Sequence, residues 1–371
     1  MSAPRVLLAP DKFKGSLSAD RVAAAVAGGM RRVLPGADLQ CLPVADGGDG
    51  TLAAAISAGF EPVAVTVAGP TGEPVTTAYA RSGATAVVEM ADACGLQRLP
   101  GGVTDPLTAS SRGLGEVMAA ALDAGCRELV VGIGGSASTD GGAGLLGALG
   151  AGPVPALMGG GAALGGVRDV VLAGLHPGLA DARVVVACDV DNPLTGAEGA
   201  AAVYAPQKGA SADEVLALDA HLAHWADVVA RATGVDHRDL PGSGAAGGVG
   251  FALLAVLGAE LRPGIELMLE LLGFGGRVAG ADLVVTGEGS LDAQSLRGKA
   301  PVGVASAAGA AGVPVVAVCG RRALTEAELT AAGIAATYAL LDVEPDVATC
   351  LREPARLLAD VGERIARERF G

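Results

Sequence analysis

Asp282 to Val318 reads DLVVTGEGSLDAQSLRGKAPVGVASAAGAAGVPVVAV. An apolar β-branched run (282–286) is followed by a polar glycine loop, an alanine-rich helical stretch (300–311) and a second apolar run (313–318). Strand and helix in alternation predict a parallel sheet with crossover helices. The beginning of the chain has the same texture: RVLLA at Arg5–Ala9 stops at Pro10, and Ser18 is placed to cap a helix from Ala19 to about Leu34, closed by Pro35-Gly36. Leu39–Val44 reads as a strand, Ala45–Gly50 as a loop and Thr51–Ala58 as a helix start.

Between these two ends the pattern changes. From Phe60 to Met90, PVAVTV, TTAYA and TAVVEM alternate across Gly-Pro and Ser-Gly turns, the pattern of antiparallel strands. Further on, 112–124, 141–150 and 211–232 read as helices and 128–131 and 183–188 as strands; the long helix carries Trp225. The expected organisation is a discontinuous parallel-sheet domain, residues 1–62 plus 280–371, with residues 63–279 inserted as a second α/β domain and ligand in the cleft between them.

Composition narrows the function. With 371 residues the chain is long enough for two cores, and at 2% aromatic those cores must be built from Ala, Val and Leu. The 58 glycines follow no collagen period and cluster in loops after apolar runs. The uncharged stretches 141–167 and 300–320 are broken by proline and glycine, unlike a membrane span. The N-terminus lacks a secretory apolar core, so the cytoplasm is expected. Cys41, Cys94, Cys126, Cys188, Cys319 and Cys350 have no zinc or CxxC spacing and read as reduced thiols of the core. A net charge of −14 argues against nucleic acid as a partner.

Five polar loops follow apolar strands: PDKFKGSLSAD (10–20), ADGGDGT (45–51), GIGGSASTDGG (132–142), CDVDNPLTG (188–196) and TGEGSLDAQSLRGK (286–299). Any one is explained as an ordinary turn, but five together are the places where backbone N–H groups cradle phosphate. Lysine occurs only at 12, 14, 208 and 299, every other Lys/Arg cation being arginine, and all four lie in such loops or in YAPQKGA (204–210). A compact ammonium in place of a planar fork suits a phosphate oxygen. Asp189 and Asp191, two apart beyond an apolar run, would point the same way in extended backbone and suit Mg2+. Asp46, Asp49, Asp140, Glu288 and Asp292 are further acids in these loops, any of which would serve as base toward a hydroxyl. GSGAAG at Gly242–Gly247 follows no strand, and no P-loop, HExxH or GxSxG pattern is present.

PDKFKGSLSAD, PVADGGDGT, GIGGSASTDGGAG, CDVDNPLTGAEGAAAVYAPQKGA, PGSGAAGGVGFAL and TGEGSLDAQSLRGKAPVGVA, in that order from about Arg5 to Gly320, resemble the bacterial glycerate kinase family, which makes 2-phosphoglycerate from D-glycerate. The resemblance implies a flavodoxin/Rossmann-like sheet domain with a second inserted α/β domain, ATP and Mg2+, and glycerate as acceptor. On the chemistry of phosphoryl transfer, Lys14 and Lys299 are expected to hold phosphate oxygens, Asp191 and Glu288 to bind Mg2+, and Asp189 to take the hydroxyl proton. Gly47, Gly48, Gly134, Gly135, Ser136, Gly287 and Ser290, with Ser16, Asp46, Asp49 and Asp140, are expected to line phosphate or substrate. Lys12 stands where the family has Ser and Ser290 where it has Arg, which alters the charge around the phosphates. A kinase of another small hydroxy acid, a 3-phosphate product and a non-catalytic nucleotide- or hydroxy-acid-binding regulator are the alternatives. A homodimer is compatible with all of them; no membrane partner is expected.

Overall fold

The computed structural model describes residues 3–371, which divide into two compact units. The first runs to Asp46, takes in Ala53–Ala58 and returns at Ile265–Gly371; the second holds Gly47–Leu52 and Gly59–Gly264. Ile265, Met268, Leu272, Phe274 and Val278 share a core with Val304 and Val315, which places 265–279 with the first unit; the sequence reading had attached that stretch to the inserted one.

Five strands form the sheet of the first unit: β1 (Arg5–Pro10), β2 (Asp38–Cys41), β9 (Leu283–Leu291), β10 (Val315–Arg322) and β11 (Ala336–Ala339). All pair in parallel, in the order β11-β10-β9-β1-β2. Counted within the unit this is the 2-1-3-4-5 order of flavodoxin-like sheets, with the winding reversing between β1 and β9. Period-two alternation explains why β1, β9 and β10 are unbroken apolar runs. Leu7, Val284 and Ala317 enter the core under the helix Ala300–Ala310, while Val6, Leu8, Val285 and Val316 enter the core under the helices Ala19–Val33 and Pro354–Phe370. Both faces are covered, so neither face can be polar.

The second unit has the strand order β3-β4-β5-β6-β7-β8, with β3 (Glu61–Ala68), β4 (Pro74–Ser82), β5 (Thr85–Glu89), β6 (Glu128–Gly132), β7 (Arg183–Ala187) and β8 (Glu260–Arg262). β3, β4 and β5 are antiparallel neighbours, as their alternation suggested; β5 to β8 run parallel. The helix Ala212–Thr233 starts in a capping box between Ser211 and Glu214 and buries Leu218, Leu222, Trp225 and Val229. Cys94, Cys126, Cys319 and Cys350 are buried, but Cys41 is exposed and Cys188 partly so, contrary to a core role for all six. No helix among the described residues is long and apolar enough to cross a membrane.

Close helix packing in the first unit depends on two glycines. A Cβ on Gly29 would lie 1.8 Å from the Ala359 carbonyl oxygen, and one on Gly362 would lie 2.3 Å from that of Val26. Gly28, one residue earlier, has open space. Gly29→Ala is expected to destabilise by about 1–3 kcal/mol, because forcing the two helix backbones apart outweighs a helix-propensity gain of at most ~1 kcal/mol. Gly28→Ala meets no clash and is expected to stabilise by about 0.5–1 kcal/mol. Urea midpoints of the two variants should therefore move in opposite directions; a shared direction would contradict the packing described.

Candidate active-site loops

In the first unit the reversal between β1 and β9 brings acids and cations to the carboxyl ends of the strands. Pro10 is in register with Gly287, and the next residue, Asp11, donates its N–H to the Gly287 carbonyl at 2.8 Å. Burial pushes the Asp11 carboxyl up to about 7; Lys12 opposes this, and the charges of Asp46 and Glu288 add to it. Glu288 is itself buried and accepts a hydrogen bond from the Ser295 hydroxyl. Burial raises its pKa, while the Ser295 bond and the Lys299 charge act the other way. Lys299 stands at the N-cap position of the helix Ala300–Ala310, and its ammonium donates to Gln294 Oε1 at 3.4 Å. Ser290 donates to Asp292 at 3.2 Å and accepts from Arg321 at 3.3 Å.

The loop after β1 is a tight turn. Phe13 and Leu17 exchange backbone hydrogen bonds of 2.8 and 3.0 Å and bury their side chains, so Lys14 and Gly15 project outward. Ser16 was expected to donate to ligand, but its hydroxyl donates to the Phe13 carbonyl at 3.2 Å.

In the second unit three loops meet at strand ends. Glu89, Gly132 and Ala187 sit side by side in register at the carboxyl ends of β5, β6 and β7. Against them lies Gly47–Leu52. A Cβ on Gly132 would fall 2.7 Å from the Gly47 oxygen, one on Gly134 would fall 2.6 Å from Gly48 Cα, and one on Gly47, whose φ is +87°, would fall 2.3 Å from Ala187 Cβ. Only glycine permits backbones this close. Glu89 holds the loop by accepting the N–H groups of Gly50 at 3.1 Å and Leu52 at 2.8 Å. Burial pushes its pKa up to about 7 despite those two bonds, and Asp49 and Asp92 add to the rise. Gly134 is partly exposed, Gly135 exposed at φ +72°, and Ser136 buried in a bridge to Gly95.

Two expectations need correction here. Asp140 is not a ligand group: it is fully buried, and its carboxylate accepts from Ser111 N, Ser111 Oγ, Ser110 Oγ, Gly142 N and Gly144 N at 2.8–3.4 Å. Nor does Lys208 present its ammonium to solvent; it is 1% exposed and donates to the Ser138 carbonyl at 2.5 Å. Asp189 and Asp191 are exposed beyond the end of β7 at Ala187, so strand alternation does not orient them as a pair, and Asp189 Oδ1 accepts from Gly264 N at 2.8 Å. Asp11 and Glu89, whose carboxyls the fold buries, are not singled out by the sequence. Asp11 stood inside a quoted loop, whereas Glu89 ends an apolar strand and carries no local signal.

Among the described residues no three His, Cys, Asp or Glu side chains converge as a metal cage. Mg2+ needs only one or two carboxylates beside phosphate and water. Asp46 and Glu288 each add by their charge to the rise that burial causes at Asp11.

The family model described as glycerate kinase family matches residues 6–369. The chain is 43% identical over 377 residues to the glycerate kinase of Bacillus subtilis strain 168, covering 98% of this chain and 96% of that protein. It is 46% identical to the glycerate 2-kinase of Escherichia coli K12, with 85% of each covered. A solved structure described as glycerate kinase 2 from Salmonella typhimurium LT2 superposes with a TM-score of 0.84 at 41% identity, covering 99% of this chain and 98% of that one.

Two substitutions test these loops. A carboxyl whose folded pKa is raised adds stability that is complete below its ordinary value of 4.5 and is lost as pH rises through about 7. Glu89→Gln should therefore remove a falling limb in stability between those pH values, worth at most about 1.4 kcal/mol per pH unit, as read from denaturant midpoints. Asp140→Ala, which strips five donors of their acceptor, is expected to cost about 3–5 kcal/mol or prevent folding; a loss under about 1 kcal/mol would refute its structural role.

Proposed function

The chain belongs to the glycerate kinase family and is a kinase, and on that premise we propose that it transfers the γ-phosphoryl group of ATP to the 2-hydroxyl of D-glycerate, releasing ADP and 2-phosphoglycerate. The observation that carries this reading is the gathering of Asp11, Asp46 and Glu288 with Lys12 and Lys299 at the switch point of the first unit's sheet. Open parallel sheets bind ligand at that place, and phosphoryl transfer asks the protein for positioning and charge neutralisation above all.

Roles follow from exposure and chemistry. Lys14, exposed on its turn, and Lys299, at a helix start, neutralise phosphate oxygens. The backbone of Gly47-Gly48 and of Gly134–Ser136 lines phosphate or the glycerate carboxylate, with Asp49, Gly287 and Ser290 at the margins. Glu288 is the first unit's carboxylate proposed for Mg2+, which when bound would draw charge from the phosphate oxygens. Asp189, exposed beyond the end of β7, takes the proton of the attacking hydroxyl. Asp11, placed by its bond to Gly287 at the switch point, is the second carboxylate with access to that task. Consumption of ATP fits work in the cytoplasm.

ADP release measured with D-glycerate, L-glycerate and no acceptor tests the reaction, and phosphorus NMR fixes the phosphorylated carbon. D-glycerate alone should give stoichiometric ADP and the 2-phosphate; equal turnover without acceptor, or a 3-phosphate product, would overturn the proposal. Asp189→Asn should lower kcat by about 100-fold or more with KM little changed. A loss confined to Asp11→Asn would move the base to Asp11.

A further inference from the structure

Lys208 is a buried cation outside every role assigned above. It ends the single turn Pro206–Lys208, whose geometry is fixed by Lys208 N–H to the Ala205 oxygen at 3.0 Å and by Gly209 at φ +95°. From there its ammonium reaches the middle of the 132–142 loop. Gly247, at φ +71°, makes room: a Cβ there would lie 2.1 Å from the Ser138 oxygen and 2.9 Å from Lys208 Nζ. The ends of the loop have their own anchors, namely the Ser136 bridge to Gly95 on one side, and Asp140 with the Gly141 N–H to the Gly247 oxygen at 3.0 Å on the other. Between those anchors the hydroxyls of Ser138 and Thr139 are buried without a partner among the described residues.

We infer that Lys208 is a positioning residue for phosphoryl transfer, whose ammonium, through the Ser138 carbonyl, holds Gly134–Ser136 in the geometry that receives substrate. This rests on the reading that the 132–142 loop belongs to the active site. A fully buried ammonium held, among the described residues, by the hydrogen bond to Ser138 is a costly choice for stability alone, since an apolar side chain of the same length would fill the space without desolvating a charge. Burial lowers its pKa to about 7, opposed by Asp140, the charged side chain that acts on it. The hold should therefore weaken as pH rises through that value.

Lys208→Met keeps the length and removes the charge. The expected result is a kcat lower by roughly 10- to 100-fold, KM values for D-glycerate and ATP within about threefold, and loss of an alkaline limb near pH 7 in the wild-type rate profile. A kcat within about threefold of wild type would overturn the inference. If the variant does not fold, the wild-type protein decides: amide exchange at 137–139, corrected for intrinsic rate, should accelerate between pH 6 and 8.5 relative to the β7 amides, and a constant ratio would overturn the inference. A separate arm tests the reading beneath it. D-glycerate with a non-hydrolysable ATP analogue should slow exchange at 133–137 in the wild type; no protection there removes the loop from the active site, whatever Lys208 does.

Discussion

The buried carboxylate of Asp140 is the constraint on which the 132–142 loop of the second unit depends. A charge enclosed on all sides is tolerated only when its oxygens are satisfied, and here five donors from two segments, Ser110–Ser111 and Gly142–Gly144, do so. Those segments begin the helices Arg112–Asp123 and Ala143–Ala148, so satisfying one side chain also sets where two helices start. Trp225 adds a bond from its indole N–H to the Gly141 oxygen at 3.0 Å. The outcome is a loop whose far end cannot drift, the kind of preorganisation that phosphoryl transfer requires.

Small side chains do the rest of the positioning. A protein with so few aromatics gains its packing by bringing backbones together: Gly29 and Gly362 between helices, Gly47, Gly132 and Gly134 between loops. Close approach leaves backbone N–H groups near the surface where an anion would meet them, without long side chains in the way. The same economy makes these positions intolerant, since an added Cβ meets backbone at Gly29, Gly362, Gly132 and Gly134 and the Ala187 Cβ at Gly47.

Electrostatics resolves the difficulty of an acidic protein acting on acidic substrates. The charge of −14 belongs to the whole chain, while Lys12 and Lys299 act on Asp11 and Glu288 at the carboxyl ends of β1 and β9. Local geometry outweighs net charge at short range, because screening removes distant contributions and low polarity strengthens near ones. Burial is the main cause of the raised pKa values of Asp11 and Glu288, and the neighbouring negative charges add to it.

Much of this protein was legible in its residues alone. The apolar runs of β1, β9 and β10, the first two followed by polar glycine loops, determined a parallel sheet covered on both faces, because local periodicity and burial are the same information. The motif order carried the family. What sequence could not decide was the fate of individual polar side chains, because burial and partners come from residues far along the chain. Asp140 and Lys208 look like loop ligands until Ser111 and Ser138 are brought beside them, and Glu89 looks like a strand end until Gly50 and Leu52 turn their N–H groups toward it. Loop chemistry is written locally, but whether a charge faces solvent or supports the fold is settled only when distant segments meet.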